Sequence, residues 1–266
     1  MRLTEALLQH ACTLRFEDLS PEAVAATRVF VMDSAAVGIS GSGPQVPLTQ
    51  VVRRSAASYG KGAGARVWVT GEPLPAASAA MVNGYQIHSQ EFDCVHMPAV
   101  VHPLAVIQSA LLAAAEQRAT VDGVAVDGKA LITALNVAVD VATLIGISGR
   151  APMRFFRPSM CGALGAAAGI AHLHGADEEL MRRALGLTYS HLSGTMLGAG
   201  AQWLPGTARD AGGAVRLPAA DRRRVRCWPL AAETGRARSA DIDRQPQGLP
   251  HRRCRACRAG HADGAA

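Results

Sequence analysis

Apolar residues recur at helical spacing through most of the first 192 positions, and the breaks fall at Pro, Gly or a capping side chain. Thr4 to Leu14 reads as a short amphipathic helix. Ser20-Pro21-Glu22 is a start signal, because Ser can cap free backbone N–H groups and Pro tolerates the first helical position. Val24, Thr27, Val31 and Ala35 follow on one helical stripe, and Gly38, Gly41 and Gly43-Pro44 are expected to end that helix. Pro47 to Tyr59 predicts another helix, closed by Gly60 and Gly62. Ala65 to Thr70 alternates weakly and predicts a short extended hook. Helices are then expected over Pro75 to Ser89, over Pro103 to Arg118 with Leu104, Ile107, Leu111 and Leu112 on its apolar side, and from Gly128 to Ile147 behind an Asp127 cap. Ser159 to His174 is rich in Gly and Ala, which suits closely crossing helices, and Asp177 caps a last helix reaching about Leu192. No internal repeat is visible. The expected fold class is all-α.

Composition supports a globular core: 49% of residues are apolar, 18% are charged, and with only 4% aromatic the core must be filled by Ala, Val and Leu. Ala130 to Ile147 is the most apolar stretch, but Asn136 and Asp140 interrupt it, so it reads as a buried helix and not a membrane span. Met1-Arg2-Leu3-Thr4 leads into an amphipathic segment and not a signal-peptide core, so a reduced, cytoplasmic protein is expected, with Cys12, Cys94, Cys161, Cys227, Cys254 and Cys257 free of disulfides.

The net charge of +6 suggests nucleic acid until it is located. Residues 208–266 hold 13 Arg, no Lys and 6 acidic residues, leaving residues 1–207 with a balance of −1. Periodicity fades in the same place. The tail has one Ile (Ile242) and no Phe or Tyr, too little to build a core. Two domains are therefore expected: a helical body over 1–207 and an Arg/Ala/Gly-rich tail over 208–266. A GC-rich gene read out of frame and a basic disordered tail both give this composition. The absence of a low-complexity linker favours the frame change. His251, Cys254, Cys257 and His261, with Cys227, invite a zinc reading, but the spacing matches no zinc module. Trp228 is the only aromatic available for base stacking there, so neither nucleic acid nor a membrane is the expected partner.

The densest polar constellation lies between two predicted helices: His88, Glu91, Asp93, His96 and His102. Imidazole and carboxylate neighbours can be tuned to take and give protons near neutral pH. Pro98 and Pro103 make the segment a stiff loop. Plainer readings stand beside this one. His88 can be a satisfied helix-end histidine, His102 can bond the start of the next helix, and Glu91 and Asp93 can be a solvated face. His and carboxylate also bind zinc or iron, but no HExxH spacing is present, and the expectation is a site with no metal and no cofactor.

The run Asn83-Gly84-Tyr85-Gln86-Ile87-His88-Ser89-Gln90-Glu91-Phe92-Asp93-Cys94-Val95-His96, continued by Val100-Val101-His102-Pro103, resembles the signature of the MmgE/PrpD family, which includes 2-methylcitrate dehydratase and cis-aconitate decarboxylase. Phe156-Arg157-Pro158-Ser159 with Gly162 to Ala168 is similar to the family's second block, and Asp33 to Gly38 to the end of its early helix. The resemblance covers about residues 4 to 207. It implies an incomplete MmgE/PrpD-type helical domain, and a lyase or isomerase of small di- or tricarboxylic acids working by general acid/base proton transfer without an iron–sulfur cluster. It also implies a homodimer in the intact family. Catalytic roles are implied for His102, Asp93, Glu91 and His96, and substrate contacts for Arg157 and His88. Three positions depart from the pattern. Arg157 stands where the family has His, Cys94 replaces a second Asp, and Val95 replaces a common Thr. Arg stays cationic, so it can hold a carboxylate but cannot shuttle a proton. The family's next basic residue, further helices and second domain do not follow Thr207. A non-catalytic remnant is therefore the alternative function, and a basic-tailed nucleic-acid binder the third.

Overall fold

Ser20 accepts a hydrogen bond from Ala23 N at 3.2 Å, Asp127 from Ala130 N at 2.7 Å, and Asp177 from Leu180 N at 2.8 Å. Each satisfies a backbone donor that a helix start leaves free, which is why these helices begin where the capping residues stand. The computed structural model describes residues 3–149 and 156–192, and within them there are eight α-helices and a two-stranded hairpin. In chain order they are α1 (Leu3–Thr13), α2 (Pro21–Gly41), α3 (Pro47–Ser58), β1 (Ala65–Arg66), β2 (Pro73–Leu74), α4 (Ala76–His88), α5 (Pro103–Thr120), α6 (Gly128–Ser148), α7 (Arg157–Leu173) and α8 (Glu178–Ser190). Of the hook expected over Ala65 to Thr70, Ala65–Arg66 is strand β1, which pairs antiparallel with β2, Ala65 opposite Leu74, whereas Trp68 to Thr70 form a turn. The zinc-like Cys/His pattern and the basic tail lie outside the described residues.

Helix α5 is central, with α4 on one side and α6 and α7 on the other. Leu104, Ile107 and Leu111 on α5 are fully buried and meet Ala134, Leu135, Ala138, Val139 and Ala142 of α6 and Cys161 and Ala166 of α7. Each large aliphatic side chain so buried contributes roughly 1.5–3 kcal/mol. The α6–α7 contact depends on missing side chains. A Cβ at Gly169 would lie 2.8 Å from Ala134 O, and one at Gly165 would collide with Ala138 O. The Gly/Ala composition of α7 is thus a close helix crossing, as its sequence suggests.

Helix α2 ends within the stretch expected to close it. It continues through Gly38 to Gly41, and its buried stripe is Thr27, Phe30, Ser34, Gly38 and Gly41. Gly38 does not end the helix. It makes room for the Trp68 indole, which a Cβ there would approach to 2.8 Å. Among the described residues two helices, α2 and α6, are long and apolar enough to cross a membrane by length and composition, but most of the apolar window of α6 is buried by neighbouring helices.

Helix α1 is fastened by two histidines. His10 Nε2 lies 2.9 Å from Asp140 Oδ2 on α6, and His172 on α7 meets Ala11 O at 2.8 Å. The hydrogen bond to Asp140 raises the His10 pKa above its ordinary 6.5, against an opposing effect of burial. A raised folded-state pKa means that the stabilisation is complete below 6.5 and fades as pH rises through the folded value. Replacing His10 by Gln is therefore expected to cost about 1 kcal/mol in weakly acid buffer and progressively less in alkaline buffer. Urea unfolding of both proteins across pH measures this. A difference that grows with pH would refute the assignment.

Candidate functional site

The segment between α4 and α5 is held from both ends and from below. His88 is the last residue of α4, and Pro103 is the first of α5. Between them Ala99 and Val101 are fully buried in the central core. Ala99 sits on a notch in α6, where a Cβ at Gly146 would come within 2.8 Å of the Ala99 methyl. His96 and Val101 exchange backbone hydrogen bonds at 2.9 and 3.4 Å, closing the loop. The strain is also local: Val100, a β-branched residue, has φ +56°, and Glu91 has φ +56° as well. Such backbone costs of order 1–3 kcal/mol per residue, and at Val100 the buried Ala99 and Val101 on either side hold it in place.

This loop brings three of the predicted residues together. The Asp93 side chain is wholly buried, and both its oxygens lie 3.1 Å from His88 Nδ1. His102 Nδ1 lies 3.2 Å from Asp93 Oδ1, in close contact but off the alignment of a good hydrogen bond. The two imidazoles meet edge to face, with ring centroids 4.9 Å apart. His102 precedes α5 yet does not cap it with its side chain, so the helix-start reading of this residue is set aside. Glu91 is mostly exposed and brings Oε1 to 3.6 Å from His88 Nε2.

Burial pushes the Asp93 carboxyl up, but His102 and His88 outweigh it and hold the pKa below the ordinary carboxylate value. The hydrogen bond to Asp93 raises the His88 pKa against the effect of its own burial, with Glu91 adding a smaller push. The site is thus a buried carboxylate carrying two imidazoles whose outer edges are partly open, at 31% and 21% side-chain exposure. A carboxylate in this position fixes ring orientation and stabilises an imidazolium, which suits general acid/base chemistry.

The other predicted residues stand apart from that cluster. His96 is buried, and its Nδ1 accepts from Ala99 N at 3.2 Å, which places its proton on Nε2. Burial lowers its pKa, so the ring is neutral at neutral pH. Arg157, at the start of α7, donates to Ala99 O at 3.2 Å and Gly149 O at 3.4 Å, tying the loop to the end of α6. No carboxylate pairs with it among the described residues. Cys94 is next to Asp93, but burial first, with the Asp93 charge adding to it, pushes its thiol up to about 12. It stays protonated and is no nucleophile. Sequence reasoning passed over the anchors Ala99 and Gly146, whose only signal was a small residue at each position.

A family model described as the MmgE/PrpD N-terminal domain matches residues 5–216. The chain belongs to the MmgE/PrpD family. The match contains the whole His88–Asp93–His102 cluster and runs past Thr207, where the composition changes. Cis-aconitate decarboxylase of Mus musculus and that of Homo sapiens are each 30% identical to it over 210 residues. The alignment covers 76% of this chain and 42% of each relative, so the chain spans less than half the length of these MmgE/PrpD-related proteins. Every helix from α2 to α8 falls within the matched stretch, and the all-α architecture is that of an MmgE/PrpD N-terminal domain.

Proposed function

We propose that this MmgE/PrpD chain is a lyase of small tricarboxylic acids that moves a proton to or from carbon beside a carboxylate. The observation that carries the reading is the buried Asp93, with His88 Nδ1 against both its oxygens and His102 Nδ1 3.2 Å from one of them. His102 is the general acid/base, Asp93 orients it, and His88 holds the positive charge that balances Asp93. Glu91, at the open edge of His88, assists proton exchange with solvent. Arg157 offers a cation toward a substrate carboxylate, and His96 supports the loop from within. Decarboxylation and dehydration both draw on this set. In the first, the C–CO2 bond breaks, its electron pair is delocalised into the remaining conjugated acid, and His102 delivers a proton to carbon. In the second, His102 removes the proton from carbon while the hydroxyl leaves as water, taking its proton from the His88 imidazolium. The relatives named cis-aconitate decarboxylase favour the first, with cis-aconitate as substrate.

The test is incubation of the full chain with cis-aconitate and with 2-methylcitrate in deuterated water, with products read by NMR. Conversion of cis-aconitate with one deuterium on carbon, reduced about 100-fold or more by His102→Ala, is expected. Folded protein that turns over neither acid would refute the reading and point to a chain without a catalytic role.

A further inference from the structure

We propose that His88, Glu91 and His102, backed by Asp93, bind a borderline divalent transition cation of the zinc and cobalt class. One donor atom from each of the three side chains lies within 4.8 Å of the other two. Imidazole nitrogen and carboxylate oxygen are the donors such ions favour. The supporting geometry is also present. Asp93 takes His88 Nδ1, leaving Nε2 turned toward Glu91 at 3.6 Å. A buried carboxylate behind a ligating imidazole fixes the ring and raises its basicity, and metal sites use this arrangement widely. Asp93 is suited to that role, because its side chain has no exposure and both its oxygens lie 3.1 Å from His88 Nδ1.

The left-handed backbone at Glu91 supplies the third ligand. Its N–H bonds to His88 O at 3.0 Å, folding the chain back so that the carboxylate returns over the end of α4. Ligands around a small divalent ion stand about 3.3 Å apart, so the set must contract by roughly 1 Å or more. Glu91 is the member free to move, with 58% of its side chain exposed. The open side leaves room for water in the remaining coordination positions. The sequence spacing matches no metal motif, because His102 stands at the far end of the loop, directly before α5. The inference rests on donor geometry and stands apart from the acid/base reading. A bound cation would occupy the imidazole lone pairs that proton transfer needs, and so would inhibit.

The test uses metal binding and not turnover. The full chain, stripped with chelator, is titrated with Co2+ and followed by absorption. One equivalent is expected, with ligand-field bands and no thiolate charge-transfer band. The signal should weaken at least about tenfold in His88→Gln, in Glu91→Gln and in Asp93→Asn. It should persist when Cys254 and Cys257 are both changed to Ser. Glu91 is exposed, so Glu91→Gln decides the matter even if the other variants misfold. Absence of binding, unchanged binding in Glu91→Gln, or a charge-transfer signal that disappears with Cys254 and Cys257 would overturn the proposal.

Discussion

Gly165→Ala is expected to destabilise the domain by about 2–3 kcal/mol or more, although it adds one methyl group. That methyl would collide with Ala138 O and lie 2.9 Å from Ala142 Cβ and 3.1 Å from Ile107 Cδ1. Two of these three neighbours belong to α6, and one of them is backbone, so neither rotamer change nor side-chain bending relieves the clash. The helices must separate, and the packing of α5 against them loosens. Gly186→Ala is the internal control. Gly186 lies on the exposed side of α8, and a Cβ there meets nothing within 4 Å. The same substitution there should stabilise by about 0.5–1 kcal/mol, through helix propensity alone. Urea unfolding of the two variants should therefore move the midpoint in opposite directions. A Gly165→Ala protein as stable as the parent would show that α6 and α7 do not cross at the distance described.

Asp93→Asn is expected to have the largest effect on the candidate site. Asn keeps the shape and removes the charge that both imidazoles face. The His88 pKa, raised mainly by its hydrogen bond to Asp93, should fall, since burial then acts without opposition. Titration of the imidazole C–H resonances reads that shift directly. Turnover should fall by about 100- to 10,000-fold, the range for losing a positioned acid/base group. The sign of the pH effect on stability follows from the same shifts. The folded pKa of Asp93 is below its ordinary 3.8, so its contribution is present above 3.8 and is lost as pH falls through the folded value. The folded pKa of His88 is above 6.5, so its contribution is complete below 6.5 and is lost as pH rises through the folded value. Both describe one ion pair, worth about 1–3 kcal/mol, which stabilises most strongly between those limits. The variant should lose that maximum. A His88 resonance titrating identically in both proteins would mean that the pair does not form.

The cluster was legible as a list and not as an arrangement. Ionisable residues packed between two helices marked the segment from His88 to His102. That Asp93 is the buried hub, with Glu91 outside, depends on the path of the chain between His88, fixed at the end of α4, and Ala99, fixed in the core. His96 carries the same chemical signal as His102 in the sequence. It differs only because the loop turns its ring inward to meet Ala99 N. Side-chain type does not encode that choice.

Local rules alone determined where the helices start. Ser20, Asp127 and Asp177 cap because a short polar side chain at that position can reach a free backbone N–H, and no distant partner is needed. The Gly- and Ala-rich face of α7 likewise announced a close crossing. Tertiary structure alone decided which residues of α2 are buried deepest. Periodicity marked Val24, Thr27, Val31 and Ala35, of which Thr27 is buried and the others half-buried; the bundle also buries Phe30, Ser34, Gly38 and Gly41 and leaves Val29, Met32 and Ile39 exposed. The reason is distance. Helix α2 approaches α4 so closely that a Cβ at Gly41 would strike Gln86 O, and only small side chains fit at the C-terminal end of that contact. Hydrophobicity is a property of each residue, but the space available to it is set by the helix on the other side.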